Sequence, residues 1–411
     1  MSPAQPVGDP APLDGRLPPA AVLGAEQRTF SLYVHVPYCS VRCGYCDFNT
    51  YAVEDFGDDV GRLTFVRDAL AEVDLAARVL RVSGAPARPL HSVFFGGGTP
   101  TRLPVEDLIA VLSRAVERFG LIPEAEVSTE ANPDSVTFED LARLREAGFT
   151  RVSIGMQSAV PRVLRILERT HDPENVPRVL DWAQQLGLRT SLDLIYGAPT
   201  ETLEEWERSL REAVRFGPEH ISAYSLIVEP GTKMAAQVRR GVYPPPDEDL
   251  HAEMYLMADR ILGESGYEWY EISNWARSPQ DRSEHNLAYW RNQDWWGIGP
   301  GAHSHHQGIR WWNVKHPLAY AHRLREGHSP AQAREHLAPQ TRHLEEVMLA
   351  MRVREGLPLH RLSEEGREAL SFLCEQGLID PTAMTRQNRV VLTLQGRLLG
   401  DAVVRELLPE C

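Results

Sequence analysis

The sequence predicts an α/β chain: a parallel sheet wound with helices into a whole or partial (β/α) barrel, then a small, mainly helical, winged-helix-like C-terminal domain. Three observations lead there. Apolar strand-like runs alternate with amphipathic helical runs as far as about residue 226. Residue types suited to ligand chemistry recur at or near the downstream ends of those runs. From about Arg342 the rhythm changes to short helices with one apolar strand, RVVLT. Strands alternating with helices imply a parallel sheet with right-handed crossovers, which is either a barrel or an open doubly wound sheet. In a barrel the active site gathers at the C-terminal strand ends, so special residues clustered there favour one shared mouth.

Taken in order, residues 1–28 are rich in Pro, Ala and Gly without periodicity, which predicts a flexible tail. Order is expected from FSLYVHV (Phe30 to Val36), a buried-strand pattern. The next strands are HSVFF from His91, AEVSTE from Ala125, RVSIG from Arg151, TSLDLIY from Thr190 and HISAYSL from His220. Helical stretches such as FVRDALAEVDLAARVL and LEEWERSLREAV lie between them. The cysteines follow strand one, Gly96 to Pro100 follow strand two, and Glu130 ends strand three. Gln157 follows strand four, Asp193 lies in strand five and Tyr224 in strand six. YPPPDED (Tyr243 to Asp249) then breaks the chain before a long helix, and an aromatic-rich segment runs from Tyr267 to Trp312. The expected division is a barrel over 29–240, a flanking segment over 241–338 and the C-terminal domain over 339–411.

The 411 residues are 43% hydrophobic and 24% charged, as in a globular protein with a sizeable core. The formal net charge of −14 repels phosphate backbones, which argues against nucleic acid as a general partner. No apolar run approaches the ~20 residues that span a bilayer, and the start lacks the basic and apolar stretches of a secretory signal. Of the five cysteines, three crowd into CSVRCGYC while Cys374 and Cys411 stand alone. That pattern is no disulfide framework and suits a reducing cytoplasm.

CSVRCGYC carries the strongest chemical signal. Three thiolates on one loop, Cys39, Cys43 and Cys46, can each hold one iron of a cubane and leave the fourth iron open. Zinc is the rival, with His35 or Asp47 as fourth ligand, because structural zinc is held by four protein groups. A thioredoxin-like Cys43-x-x-Cys46 pair leaves Cys39 unexplained. GGGTP is by itself a turn. After strand two of a barrel, its glycines let a ligand approach the backbone N–H groups. Glu130 and Asp193 can accept hydrogen bonds from an ammonium or from ribose hydroxyls, and Arg169 can pair with a carboxylate. Each alone is as well explained by a salt bridge or a surface position.

Taken together, YVHVPYCSVRCGYCDF, FFGGGTPTRL, TEANP, SIGMQS, LERTHD and SLDLIYGAPTET resemble, in that order, the HemN/HemW family of radical S-adenosylmethionine (SAM) proteins. The resemblance covers about residues 30 to 400 and implies a partial (β/α)6 barrel. It also implies a [4Fe–4S] cluster on Cys39, Cys43 and Cys46, whose open iron is chelated by SAM and whose electron cleaves it to methionine and a 5′-deoxyadenosyl radical. The implied SAM contacts are Tyr33, Gly97, Gly98, Thr99, Glu130, Gln157, Arg169, Asp193 and Ser225.

The family has a coproporphyrinogen dehydrogenase branch and a heme-chaperone branch. The dehydrogenase carries a further cysteine two positions after its third cluster cysteine, where this chain has Phe48. It also has a longer ordered N-terminal segment. EHNLAYW (Glu284 to Trp290) contains H-N-x-x-Y-W, which resembles the motif associated with heme in the chaperone branch. A neutral imidazole is a good axial ligand for heme iron, and aromatic rings offer flat apolar faces. The implied heme contacts are His285, Asn286, Tyr289 and Trp290, against a plain alternative in which His285 is a hydrogen-bonded structural histidine. GIGPGAHSHH (Gly297 to His306) reads as a glycine-rich loop closing the barrel mouth, with His303 a weaker candidate ligand. The expectation is a cytoplasmic heme chaperone with at most peripheral membrane contact and an acceptor hemoprotein as partner. The alternative is a coproporphyrinogen dehydrogenase or another radical-SAM tetrapyrrole oxidoreductase.

Overall fold

A computed structural model describes residues 7–52 and 60–408. Cys411 and the first six residues of the expected tail lie outside the described residues.

The six expected strands form: β1 (Phe30–Val36), β2 (Leu90–Gly97), β3 (Leu121–Ala131), β4 (Arg151–Gln157), β5 (Arg189–Tyr196) and β6 (His220–Ser225). They lie side by side in chain order and all parallel. Their near-continuous burial is what a parallel sheet covered on both faces requires. Helices α1 (Val60–Val82), α2 (Val105–Phe119), α3 (Phe138–Glu146), α4 (Asn175–Gln185) and α5 (Leu203–Phe216) make the crossovers. In α2 the buried residues Leu108, Val111, Leu112 and Ala115 recur at helical spacing, so one stripe faces the sheet. α5 starts on a capping box between Thr202 and Glu205 and stops at Gly217, whose φ of 70° suits a residue without Cβ.

Downstream, β7 (Glu268–Glu271) and β8 (Asn274–Ala276) add antiparallel strands beside β6. β9 (Asp294–Ile298) pairs parallel with β1, which makes it a seventh parallel strand. β10 (His303–His306), β11 (Ile309–Asn313) and β12 (Ala331–His336) extend that side antiparallel. The GIGPGAHSHH segment is therefore corrected from a loop over the mouth to the turn and strands of this sheet extension. Its His305 and His306 are buried in the sheet, and His303 stacks on Trp312. Among the described residues the sheet has 13 strands, and its two edge strands do not pair with each other, so the barrel is partial.

The flexible tail expected over 1–28 is also corrected for residues 7–28. Asp9–Pro10 pairs with β12, while Leu17 and Ala21 join the main core. Arg28 and Arg88 both bond the buried Asp294, at 2.9 and 2.8 Å. A Pro-rich stretch without periodicity can still be held at a sheet edge, where missing N–H donors cost nothing.

Residues 339–408 build a separate apolar core around Val347, Leu357, Leu373, Val390 and Leu407. Its two short strands, Leu357–Pro358 and Arg389–Val390, pair antiparallel. Arg397 docks this unit on the barrel through Asp259 at 2.8 Å and over the face of Trp269. Among the described residues no helix is long and apolar enough to cross a membrane.

Candidate functional site

A cavity of about 720 Å³ is lined by the C-terminal ends and inward faces of β1–β6, by the cysteine loop and by the Glu284–Trp290 helix, α6. It gathers Cys39, Cys43, Cys46, Tyr33, Gly97, Gly98, Thr99, Glu130, Gln157, Arg169, Asp193 and Ser225. It also reaches His285, Asn286 and Tyr289, but not Trp290.

The cysteine loop is folded onto the end of β2. Tyr38–Cys39 pairs with Tyr51–Ala52, and the Cys46 N–H donates to the Cys43 carbonyl at 3.2 Å. Cys39 Sγ lies 3.9 Å from the Thr99 hydroxyl, Cys43 Sγ 3.8 Å from an Arg169 Nη, and Cys46 Sγ 3.8 Å from the Thr50 hydroxyl. Burial pushes the Cys39 thiol up to about 12, with the neighbouring thiols adding to it and Thr99 and Arg169 opposing. Cys46 is raised mainly by burial as well. Gly98 has to be glycine, because a Cβ there would sit 2.6 Å from the Tyr38 carbonyl oxygen and 3.0 Å from Cys39 Sγ. Among the described residues no group of three His, Cys, Asp or Glu side chains is arranged to hold a single metal ion. His35 has both ring nitrogens bonded, to the Tyr33 hydroxyl at 2.9 Å and the Asn49 carbonyl at 3.0 Å.

Two carboxylates face the cavity from adjacent parts of the wall. Glu130 accepts from the Gly97 N–H at 3.1 Å. Burial and then the charge of Asp193 raise its carboxyl to about 8. Asp193 is raised by burial too, against hydrogen bonds from Ser222 and Ser153, the latter at 2.9 Å. Arg169 lies nearby but is drawn to Cys43 and to the Gly155 carbonyl at 3.1 Å. Gln157 sits at a register shift of β4 with φ of 64°, a left-handed conformation that non-glycine residues adopt at a cost. Ser225 Oγ meets His251 Nδ1 at 3.0 Å.

α6 closes the floor. The buried Glu126 accepts from the Ser283 hydroxyl and from the Glu284 and His285 N–H groups, each at 3.3 Å. Glu126 is itself paired with the buried Arg151 at 3.3 Å. His285 is 1% exposed. Its Nδ1 meets the Ser92 hydroxyl at 2.8 Å and its Nε2 the Tyr289 hydroxyl at 2.9 Å. Burial lowers the ring to about 3, so it is neutral. Trp290 does not line the cavity; it packs on Tyr270, Ala276, Leu287 and Val353. Successive helix positions diverge by about 100°, which here turns Tyr289 to the cavity and Trp290 to the packing side. The sequence reading missed Ser92, Glu126 and Arg151. Glu126 and Arg151 left one trace: charged residues inside apolar strand patterns.

Residues 33–213 match the model of the Radical SAM superfamily. The chain is 46% identical over 380 residues to the heme chaperone HemW of Mycobacterium tuberculosis, covering 92% of this chain and 95% of that one. The chain belongs to the HemW family. Another member of the HemW family, the heme chaperone HemW of Bacillus subtilis, is 33% identical over 392 residues, covering 92% and 99%. The solved coproporphyrinogen III oxidase (HemN) of Escherichia coli has the same fold, with a TM-score of 0.77 at 23% identity and coverage of 95% and 92%. This chain and HemN thus share one scaffold, and the fold alone does not separate the two branches.

Proposed function

We propose that this chain is a cytoplasmic heme chaperone that binds heme and passes it to an acceptor hemoprotein. In this reading a [4Fe–4S] cluster is held by Cys39, Cys43 and Cys46, and SAM occupies the adjoining cavity. The observation that carries the reading is one cavity lined by three thiols, two wall carboxylates and His285, Asn286 and Tyr289 of the H-N-x-x-Y-W motif, in a chain of the HemW family. The donors fit. A cubane takes each thiolate on a different iron; of the two fourth ligands a zinc site could use, His35 is committed to Tyr33 and Asn49, and Asp47 is not grouped with the thiols around a single metal position among the described residues. SAM brings a sulfonium and an ammonium, and buried carboxylates whose ionisation is costly are what a cationic ligand relieves.

Glu130 and Asp193 are assigned to the ammonium and ribose hydroxyls, Arg169 to the carboxylate. Gly97, Gly98 and Thr99 bring the backbone close, and Tyr33, Gln157 and Ser225 complete the wall. The cluster, when bound, supplies an open iron and a low-potential electron. For heme, His285, Asn286 and Tyr289 are the proposed contacts. His285 is already neutral, and it takes the iron if the Tyr289 hydroxyl releases Nε2.

Phe48 supports the chaperone over the dehydrogenase, because it stands where that branch has a further cysteine. The test uses anaerobically reconstituted protein with SAM, a low-potential reductant and coproporphyrinogen III, beside a hemin titration of wild type and His285→Ala. The reading expects saturable hemin binding, weaker in the variant at unchanged iron content, and no protoporphyrinogen. Protoporphyrinogen accumulating over many turnovers overturns the chaperone reading. Unchanged hemin affinity in the variant returns His285 to a structural role.

A further inference from the structure

The rim of the cavity differs from its interior. Val41 and Phe48 on the cysteine loop and Ile227 just after β6 line the cavity, yet are 50%, 56% and 67% exposed. Large apolar side chains left in water around one opening mark a surface that something covers. Their occupant is indicated by charge. Among the described residues three arginines line the cavity: Arg151 is paired with Glu126, and Arg169 bonds Gly155 and Cys43. The third, Arg102, has a buried Nε with no hydrogen-bond partner among the described residues. Its backbone N–H donates to the Thr99 carbonyl at 2.9 Å, so it stands one turn beyond the residue that touches Cys39. Among the described residues no carboxylate lies within ion-pair distance of it. Asp134 is taken up by the Asp172 N–H and by Asn175, and Glu168 by Lys233 at 2.7 Å. Asp47 and Glu229 also line the cavity, so the mouth is no general anion trap. One guanidinium there can fork onto one carboxylate.

We propose that this mouth is the docking station for heme: Arg102 takes a propionate carboxylate while Val41, Phe48 and Ile227 cover the apolar macrocycle edge. This rests on the heme-chaperone reading and adds where the cargo enters and leaves. A flat apolar dicarboxylate matches both features, whereas the methionyl carboxylate of SAM matches only the guanidinium.

The test titrates cluster-loaded wild type, Arg102→Gln, Arg102→Lys and Phe48→Ser with hemin, with hemin dimethyl ester and with SAM, checking iron content and circular dichroism for each. Arg102→Gln should weaken hemin about tenfold or more, leave the ester and SAM unchanged, and be partly rescued by Arg102→Lys. Phe48→Ser should weaken hemin and ester alike. Hemin affinity indifferent to Arg102 overturns the docking station while leaving the chaperone reading standing. Loss of SAM affinity alone in Arg102→Gln also overturns it, by assigning the guanidinium to the SAM carboxylate. Absence of saturable hemin binding in wild type overturns the chaperone reading itself.

Discussion

Replacing Glu130 by Gln keeps the shape of the cavity wall and removes one titrating group. The carboxyl is raised from 4.5 to about 8 by burial and then by Asp193. A folded-state value above the unfolded one means that the fold keeps a proton the unfolded chain gives up. The stability from this group is therefore complete below about pH 4.5 and is lost as pH rises through about 8. At ~1.4 kcal/mol per pH unit, a window of about 3.5 units amounts to about 5 kcal/mol. That is an upper bound, since water in the cavity screens the charge. Denaturant melts at intervals from pH 5 to pH 8 without SAM should show wild type losing ground to Glu130→Gln by up to ~1.4 kcal/mol per unit. Added SAM should flatten the wild-type curve, because its positive charges favour the ionised carboxylate, and should bind the variant at least tenfold more weakly. Parallel curves for the two proteins, or SAM affinity untouched by the substitution, would refute the placement of Glu130 in a cation-binding wall.

Other substitutions probe the rest of the site. Cys39→Ala, Cys43→Ala or Cys46→Ala should leave the reconstituted protein without a stable cluster, read as iron per chain and visible absorbance; four irons retained in any one removes that cysteine from the ligand set. Gly98→Ala forces a Cβ to within 2.6 Å of the Tyr38 carbonyl oxygen and 3.0 Å of Cys39 Sγ, so the loop must shift. The cluster should then bleach faster in air, and an unchanged lifetime would show that the close approach is dispensable. Glu126→Ala strands the charge of Arg151, which is 2% exposed, and should cost about 3–5 kcal/mol of stability in denaturant melts. It should also loosen α6, seen as faster amide exchange at Glu284 and His285; neither change would mean that the pair does not anchor the floor.

Much of this architecture was readable from residue order, because a parallel sheet writes itself as apolar runs at regular intervals. The six strands from Phe30 to Ser225 follow from that rule. So does their shared mouth, since Cys39, Gly97, Glu130 and Gln157 sit at successive strand ends. The seventh parallel strand escaped because DWWGI reaches β1 from 264 residues away along the chain, as the Asp294↔Phe30 and Ile298↔Val34 pairs show, and local periodicity carries no such partner. The Asp9–Pro10 edge escaped for the same reason: its pairing with β12 is tertiary. That Trp290 packs away from the cavity was not legible, because a motif names neighbours in sequence, whereas a helix turns adjacent residues in different directions. Arg102 went unremarked because an arginine on a short turn looks like any surface cation until its cavity is seen.

The central claim is tested most directly by heme handover. Cluster-loaded protein charged with hemin is mixed anaerobically with the heme-free form of a b-type respiratory hemoprotein, and the heme content of each is measured after separation. The account predicts that heme moves to the acceptor faster than from hemin-loaded albumin, and more slowly from a Cys39→Ala donor. Heme that stays with the donor, or moves no faster than from albumin, contradicts it.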